Sequence, residues 1–222
     1  MLVGDEFMNL VLTEENYLGK GTNKVCYYHP DDKNKCIKFS LDGTDETDME
    51  YELKFRRMCK KRVAHSSLLT KYFGTVETNK GTGHVFECVR DFDGRLSETF
   101  EALLLRERNS PKVFEVLEML RRKLLEESMI TYTIFPDNFL VQRISEHEYQ
   151  IRIIDGIGMH VLFPLPYYSK RLARYRQKRI FKKFMMLLRD KYGLNVEMEK
   201  ASGWVLVAAK ISAFKRVKFL KS

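Results

Sequence analysis

The sequence predicts an α+β protein, with a small antiparallel β-sheet and one helix in its first part and mainly helices in its second. Two observations lead to this fold class. Short β-rich segments separated by turn residues recur before about position 90, whereas helical spacing of apolar residues dominates from position 97 onward. The 222 residues are enough for one domain or for two small lobes with a buried core.

The sheet is predicted from five β-rich segments. "NYLGKG" and "KVCYYHP" lie around a glycine-containing turn, and "CIKFS" follows the polar turn cluster "PDDKNK". A hairpin over "YFGTVETNKGTGHVFECVRD", with "NKGTG" as its turn, supplies the remaining segments. Between these two groups, "DETDMEYELKFRRMCKKR" predicts one helix, because its acids come first and its bases last, as the helix dipole favours. Met49, Leu53 and Met58 would lie near one face of that helix.

The second part of the chain predicts helices around a short hairpin. After "DFDG", a turn or linker, come the helices "SETFEALLLRER" and "SPKVFEVLEMLRRKLLEES", the latter with Ser110 as N-cap and Pro111 in its first turn. "FLVQRISEHEYQIRIIDGIG" reads as two strands around a polar turn. "YYSKRLARYRQKRIFKKFMMLLRDKYG" predicts a long basic helix that ends at Gly193. This order of elements is that of a protein-kinase-like fold, with an N-terminal lobe over residues 1–92 and a reduced, mainly helical C-terminal lobe over residues 93–222.

The charge is unevenly distributed along the chain. The net charge is +9, yet the segment from His160 to Ser222 holds 16 Lys and Arg against 3 Asp and Glu, so the last third is strongly basic and the rest is mildly acidic. This asymmetry bears on partners rather than on fold. The four cysteines are widely spaced with no C-x-x-C pair, which favours reduced thiols in a cytoplasmic protein, and no apolar run is long enough to span a bilayer.

Several residues could together bind a nucleotide. Gly19 and Gly21 in "LGKGTNKVCY" would let backbone amides approach phosphates, although the third glycine of a kinase loop is replaced by Lys24. Lys38, which ends "KCIK", matches the lysine that kinases carry on the third strand. Glu52, or its rival Glu50, could hold that lysine from the following helix. Each feature alone has an ordinary explanation, as a hairpin turn, a solvated lysine or a surface glutamate.

The segment "TYTIFPDNFLVQ" resembles the catalytic loop of a protein kinase. Asn138 and Asp155 would be the Mg²⁺ ligands, because hard oxygen donors suit that ion. The usual catalytic Asp stands five residues before the Asn, and that position is Thr133 here. Asp137 is the alternative acidic residue. Ordinary explanations remain for the ligands as well, namely a loop-capping Asn and a turn Asp, but the five features occur in the kinase order and on the expected elements.

The quoted segments also resemble a specific family. "LGKGTNKVCYYHPDDKNKCIKF", "YFGTVETNKGTGHVFECVRDFDG" and "PDNFLVQRISE…IIDGIG" are similar to the bacterial PhoP regulatory network family YrbL, with a likeness that runs from about Tyr17 to Lys183. The resemblance implies a kinase-like fold, a cytoplasmic setting and a link to envelope-stress regulation. It also implies that a small hydroxyl residue at the Thr133 position is a family trait. Two departures from ordinary protein kinases remain. Phe135 stands in place of the lysine that kinases often have beside the γ-phosphate, and Gly156 in place of the Phe of D-F-G.

The long basic helix suggests a second interaction. Residues 170–191 carry ten Lys and Arg beside a cluster of apolar residues. The helix could be a core helix with a solvated basic face, or it could bind an anionic partner such as a phosphorylated glycolipid or an acidic protein. No helix-turn-helix or RNA-binding motif favours nucleic acid.

Three functions are consistent with the sequence. The first is a kinase-like protein that binds ATP and Mg²⁺ and has weak or atypical phosphotransferase activity. The second is a catalytically silent pseudokinase that acts as a binding or regulatory module through its basic C-terminal third. The third is a nucleic-acid-binding protein that shares only the topology.

Overall fold

The structure is a computed structural model that describes residues 10–21, 23–41, 47–160, 163–195, 197–198 and 207–208. It confirms the predicted α+β class, with an antiparallel sheet in the first part of the chain and mainly helices in the second. The predicted division into lobes of 1–92 and 93–222 stays a prediction. Most of the short apolar run of residues 204–209 lies outside the described residues, and so does the start of the chain before Leu10.

The five predicted β-rich segments form one antiparallel sheet with the strand order β1-β2-β3-β5-β4. Its strands are β1 (Tyr17–Lys20), β2 (Lys24–His29), β3 (Asp32–Ser40), β4 (Tyr72–Thr78) and β5 (Gly81–Glu87). The connecting turns are tighter than the sequence predicts. In the second hairpin Gly83 belongs to β5 rather than to the turn, and a Cβ atom there would lie 2.3 Å from Ile37 and 2.8 Å from Phe39. Glycine is therefore needed at this position for packing across the sheet.

The single helix predicted after β3 is two helices. Helix α1 spans Thr47–Met58 and helix α2 spans Lys60–Ala64, with Cys59 between them in a non-helical conformation. The break lets Cys59 enter the core, where it is 5% exposed, while Met58 is 36% exposed instead of sharing the buried face with Met49. It also places Arg62 of α2 where its guanidinium donates hydrogen bonds to the carbonyls of Ser128, Pro166 and Tyr167.

The second part of the chain contains the predicted helices and hairpin in the predicted order, but a short strand opens the first predicted helix, a separate short helix precedes the long basic helix, and two short strands follow it. It consists of β6 (Glu98–Thr99), α3 (Phe100–Arg106), α4 (Pro111–Glu126), β7 (Phe139–Arg143), β8 (Tyr149–Ile153), α5 (Leu165–Tyr168), α6 (Lys170–Tyr192), β9 (Glu197–Met198) and β10 (Val207–Ala208). The predicted caps are present. The Ser110 hydroxyl accepts a hydrogen bond from the backbone N–H of Val113, and Gly193 ends α6 in the left-handed conformation with φ of 63°.

Three groups of buried side chains hold these elements together. The largest joins Phe55 and Cys59 to the helices and the short β7–β8 hairpin of the second part. Two smaller groups lie on opposite faces of the five-stranded sheet. One contains Ile37 and Phe39, and the other contains Cys36, Met49 and Phe86. Helix α1 thus covers one face of the sheet and also contacts the helical core. The junction where Lys24 of β2 and Lys38 of β3 meet the loop after β8 is hereafter called the cleft. Within the described ranges, no helix combines the length and the apolar character needed to cross a membrane.

Candidate functional site

Lys38 points into the cleft. Side chains alternate along a strand, and Cys36 packs with Met49 of α1 whereas Ile37 and Phe39 pack on the opposite face of the sheet, so Lys38 faces the α1 side. The lysine residue is 7% exposed. Its Nζ atom lies 4.6 Å from the centre of the Phe86 ring and donates a 2.7 Å hydrogen bond to the carbonyl of Ile154. Lys38 is thereby held beside the loop that follows β8.

Lys24 and Asp155 form an ion pair across the cleft. The Nζ atom of Lys24 donates to both carboxylate oxygens of Asp155 at 2.7 Å, although the two residues are 131 positions apart. Their side chains are 11% and 27% exposed. Burial alone raises the pKa of Asp155, but the ammonium charges of Lys24 and Lys38 outweigh it and hold that pKa below its usual value. Asp155 is therefore a carboxylate at neutral pH.

Thr133, Asn138 and Asp155 meet at one place. The segment Pro136–Asn138 forms a 3₁₀ turn, and the carbonyl of Asn138 accepts a 2.9 Å hydrogen bond from the backbone N–H of Ile154. A Cβ atom at Gly156, whose φ is +84°, would lie 3.0 Å from the Thr133 carbonyl and 3.2 Å from Nδ2 of Asn138. All three residues line the same small internal space, of about 10 Å³. Gly156 is thus required by close packing against the Thr133 loop.

The carboxamide of Asn138 makes no hydrogen bond to another residue within the described part of the chain. It is half-buried beside Asp155, so it has an oxygen available for a ligand. An amide oxygen and a carboxylate suit Mg²⁺, which keeps several waters and takes further ligands from substrate phosphates. No group of three or more His, Cys, Asp or Glu side chains within the described ranges could hold a metal ion. The donor set therefore fits a phosphate-bound Mg²⁺ rather than an all-protein metal site.

Helix α6 fixes the start of the candidate loop. Gln177 is buried, and its carboxamide oxygen accepts hydrogen bonds from the backbone N–H and the hydroxyl of Thr131, while its amide donates back to that hydroxyl at 2.9 Å. Burial first, and then the negative charges of Asp155 and Asp48, raise the pKa of Tyr132, the next residue. The tyrosine is consequently a neutral hydroxyl close to the two carboxylates.

Glu52 has a different partner from the one expected. Its Oε1 atom accepts hydrogen bonds of 2.9 and 2.6 Å from the guanidinium of Arg56, one turn further along α1. Both side chains are buried, and Arg56 also lies over the Phe86 ring, 5.5 Å from its centre. In this structure, then, the buried acid of α1 is neutralised within its own helix, and Lys38 is held by the carbonyl of Ile154 instead. Glu50, the rival acid, is exposed.

The glycine turn has room above it. Gly21 donates a 2.8 Å backbone hydrogen bond to the carbonyl of Lys24, and Gly19 lies opposite Cys26, which lies opposite Lys38 on the next strand. A Cβ atom at Gly19 would meet no described atom within 4 Å, and one at Gly21 would come no closer than 3.8 Å to the Lys24 carbonyl. Packing against the described residues therefore does not require glycine at either position. The close approach of a ligand to the backbone would be another reason for glycine there.

Two further residues complete the description. Asp137 is exposed and does not line the space shared by Thr133 and Asp155. Gly158 was missed by the sequence analysis. With φ of +101°, it passes so close to α1 that a Cβ atom would lie 2.5 Å from the carbonyl oxygen of Tyr51. This contact ties the loop of Asp155 to the helix that carries Glu52.

Lys24 is the other residue that sequence reasoning missed. The sequence identifies it only as the residue that replaces a third glycine. The one available signal for a role of Lys24 is its position at the start of β2, directly after the glycine-containing turn. Together with Lys38, it gives the cleft two cations beside one carboxylate.

Comparison with known proteins gives consistent matches. The family model described as PhoP regulatory network protein YrbL matches residues 10–189. Two similar proteins are both named "Uncharacterized protein YrbL", from Escherichia coli (strain K12) and from Shigella flexneri. Each is 36% identical to this chain over 78% of its length and 85% of the relative's own length.

Proposed function

The chain belongs to the PhoP regulatory network protein YrbL family, and we propose that it is a kinase-like protein that binds ATP with Mg²⁺ in the cleft between its five-stranded sheet and its helical part. One observation carries this proposal. Lys24 of the sheet contacts Asp155, and Lys38 contacts the carbonyl of the preceding residue, Ile154. More than a hundred residues of sequence separate the partners in each pair. Two buried cations, a carboxylate and a free amide oxygen beside a glycine turn are the groups that a metal-bound triphosphate needs.

Each group has a role in this proposal. The backbone at Gly19 and Gly21 would approach the phosphates, and Lys38 would bind them as a point charge. Asn138 and Asp155 would hold Mg²⁺, and Lys24, no longer paired with Asp155, would bind a phosphate oxygen. Glu52 would orient Lys38 in a second arrangement, in which Arg56 releases it. The contact between Gly158 and Tyr51 supports such coupling, because a shift of α1 moves the loop of Asp155.

Any phosphoryl transfer would be weak or atypical. Thr133 lies beside Asp155 where an acidic base is expected, and a threonine hydroxyl does not accept a proton at neutral pH. Loss of a general base costs roughly 10²- to 10⁴-fold in rate. Phosphoryl transfer depends mostly on positioning and charge stabilisation, so the remaining groups could still support slow turnover. Asp137, which is exposed and does not line the space that Thr133 shares with Asp155, is a poor substitute. We further propose a cytoplasmic setting linked to envelope stress through the PhoP network that the family description names.

A second candidate function is a silent pseudokinase that acts as a binding or regulatory module. The Lys24–Asp155 pair favours it, because an internal ammonium group already occupies the carboxylate that a metal ion would need. The basic helix α6 would then provide the binding surface. The two candidates differ in one observable, which is whether the protein consumes ATP.

The proposal is tested by measuring the melting temperature with MgATP. A ligand at about 100 times its Kd stabilises the folded state by about 2.7 kcal/mol, which is roughly 5–10 °C for a chain of this size. Lys38→Met should abolish most of this shift, because it removes a buried phosphate-binding cation. Lys33→Met is the matched control, since Lys33 lies on the same strand but is exposed. A wild-type protein that shows no shift at saturating MgATP, or a Lys38→Met variant that keeps it, would contradict the proposal.

A further inference from the structure

A groove of about 580 Å³ lies between α6 and the segment that leads into α5. Its walls carry large apolar side chains that are turned to solvent rather than buried. Phe163 is 74% exposed, Leu165 61%, Tyr175 63% and Leu172 44%. Single exposed apolar residues are ordinary, but a contiguous set in a concave surface marks a binding site. The volume falls within the range of small-molecule sites.

Cations line one side of this groove. Arg176, Arg179 and Lys183 are spaced three and four residues apart, so they lie on one face of α6. None of the three is in an ion pair within the described part of the chain, and none of the described residues that line the groove is acidic. The Nε atom of Arg176 is buried with no hydrogen-bond partner among the described residues. A buried donor without a partner is uncommon in folded proteins, and here it lies in a groove open to a ligand.

We propose that this groove binds one amphipathic anion, a molecule with a phosphate head and a single alkyl chain. The alkyl chain would lie along Leu165, Leu172 and the half-buried Ile180, and the phosphate would bind the guanidinium groups of Arg176 and Arg179. Arginine suits this role because its planar fork donates two parallel hydrogen bonds to phosphate oxygens. The groove is separate from the proposed nucleotide site, although Thr133 lines both the groove and the small space beside Asp155.

Charge argues against other occupants. The C-terminal segment of residues 209–222 is itself basic, and a second copy that docked through the same face would place cations opposite cations. Nucleic acid would satisfy the arginines but offers no alkyl chain to the exposed apolar residues. An amphipathic phosphate satisfies both parts of the groove.

The test measures binding of decyl phosphate by calorimetry, below the concentration at which it aggregates and without nucleotide. Decanol has the chain without the charge, inorganic phosphate has the charge without the chain, and decyltrimethylammonium has the chain with the opposite charge. We expect decyl phosphate to bind at least about tenfold more tightly than any of the three, because only it offers both contacts. Equal binding of decanol, or no binding of decyl phosphate, would overturn the proposal.

Matched variants locate the site. Arg179→Glu and Leu172→Gln should each weaken decyl phosphate binding by about tenfold or more. Lys182→Glu and Met186→Gln are the controls, because both residues are exposed on α6 outside the groove. Lys38→Met should leave this binding unchanged, so a failed nucleotide proposal does not affect the result. The groove assignment is wrong if Lys182→Glu weakens binding as much as Arg179→Glu, or if only anionic vesicles or an acidic peptide bind.

Discussion

The cleft at Lys24, Lys38 and Asp155 and the groove beside α6 hold their charges in opposite ways. In the cleft, Lys24 is paired with Asp155 and Glu52 with Arg56, so the buried charges neutralise one another. In the groove, the cations meet no acid among the described lining residues. A ligand of the cleft must therefore displace an internal ion pair, whereas a ligand of the groove supplies a missing counter-charge. This difference predicts that the cleft responds to metal ions and the groove does not.

The largest effect is expected from Asp155→Asn. The variant removes the carboxylate proposed to hold Mg²⁺, a contact that would be worth about 3 kcal/mol or on the order of 10²-fold in Kd. Because it also frees Lys24, nucleotide without metal could bind as well as before. The informative quantity is thus the ratio of ATP affinities measured with and without Mg²⁺, which should fall close to one. Residual ATP consumption should vanish.

Asp137→Asn is the matched control for this variant. It makes the same chemical change in the neighbouring loop, at an exposed residue. It should keep the wild-type dependence on Mg²⁺. If Asp155→Asn instead retains the full enhancement of ATP affinity by Mg²⁺, Asp155 is not a metal ligand. The Lys24–Asp155 pair would then be a structural ion pair only.

A second, smaller effect is expected from Thr133→Asp, which places a carboxylate where kinases keep their base. It should leave MgATP affinity nearly unchanged, because a base contributes little to ground-state binding. It should raise residual ATP consumption by up to ~10²-fold if the other groups are aligned. Thr133→Asn has the same shape without the base and should not raise it. A Thr133→Asp variant that binds well but stays inactive would favour the pseudokinase, with Phe135 and Gly156 as the next residues to change.

The sequence predicts the elements of this protein better than it predicts their charge pairing. The strands, the capped helix after Ser110 and the basic helix that ends at Gly193 follow from local patterns, because turn residues, caps and apolar spacing act over a few positions. The break at Cys59 does not, because it depends on contacts that Arg62 makes with carbonyls more than sixty residues away.

The candidate site shows the same limit. Lys38, Asn138 and Asp155 could be named because kinase-like motifs fix their order and spacing. The partner of Glu52 could not, because an arginine one turn along the helix and a lysine on a neighbouring strand are equally good partners until the backbone is placed. Lys24 and Gly158 belong to no motif, and their importance lies only in what they face across the cleft.

The smallest of the three effects concerns Lys24, which the sequence does not identify as a site residue. Lys24→Met keeps the length of the side chain but leaves the carboxylate of Asp155 without its closest partner. We expect the free energy of unfolding at neutral pH to fall by about 1–3 kcal/mol, since both side chains are mostly buried. Lys20→Met, an exposed lysine of β1, should change it little. Added Mg²⁺ should stabilise the Lys24→Met variant more than the wild type, because the ion no longer competes with the ammonium group. Equal stabilisation of both proteins would mean that Lys24 does not occupy a metal site.

The final check on the ion pair is the pH dependence of the difference in free energy of unfolding between Lys24→Met and the wild type. Lys24 and Lys38 hold the pKa of Asp155 below its usual value in the folded protein, despite the opposing effect of burial. A depressed carboxyl pKa stabilises the fold above the unfolded value of about 3.9, and this stabilisation is lost as pH falls through the lower folded value. The wild type should therefore progressively lose its advantage over Lys24→Met as pH falls below about 3.9, so that their denaturation midpoints converge in acid. A deficit that stays constant through this range would show that Lys24 stabilises the fold through packing of its alkyl chain and not through its charge.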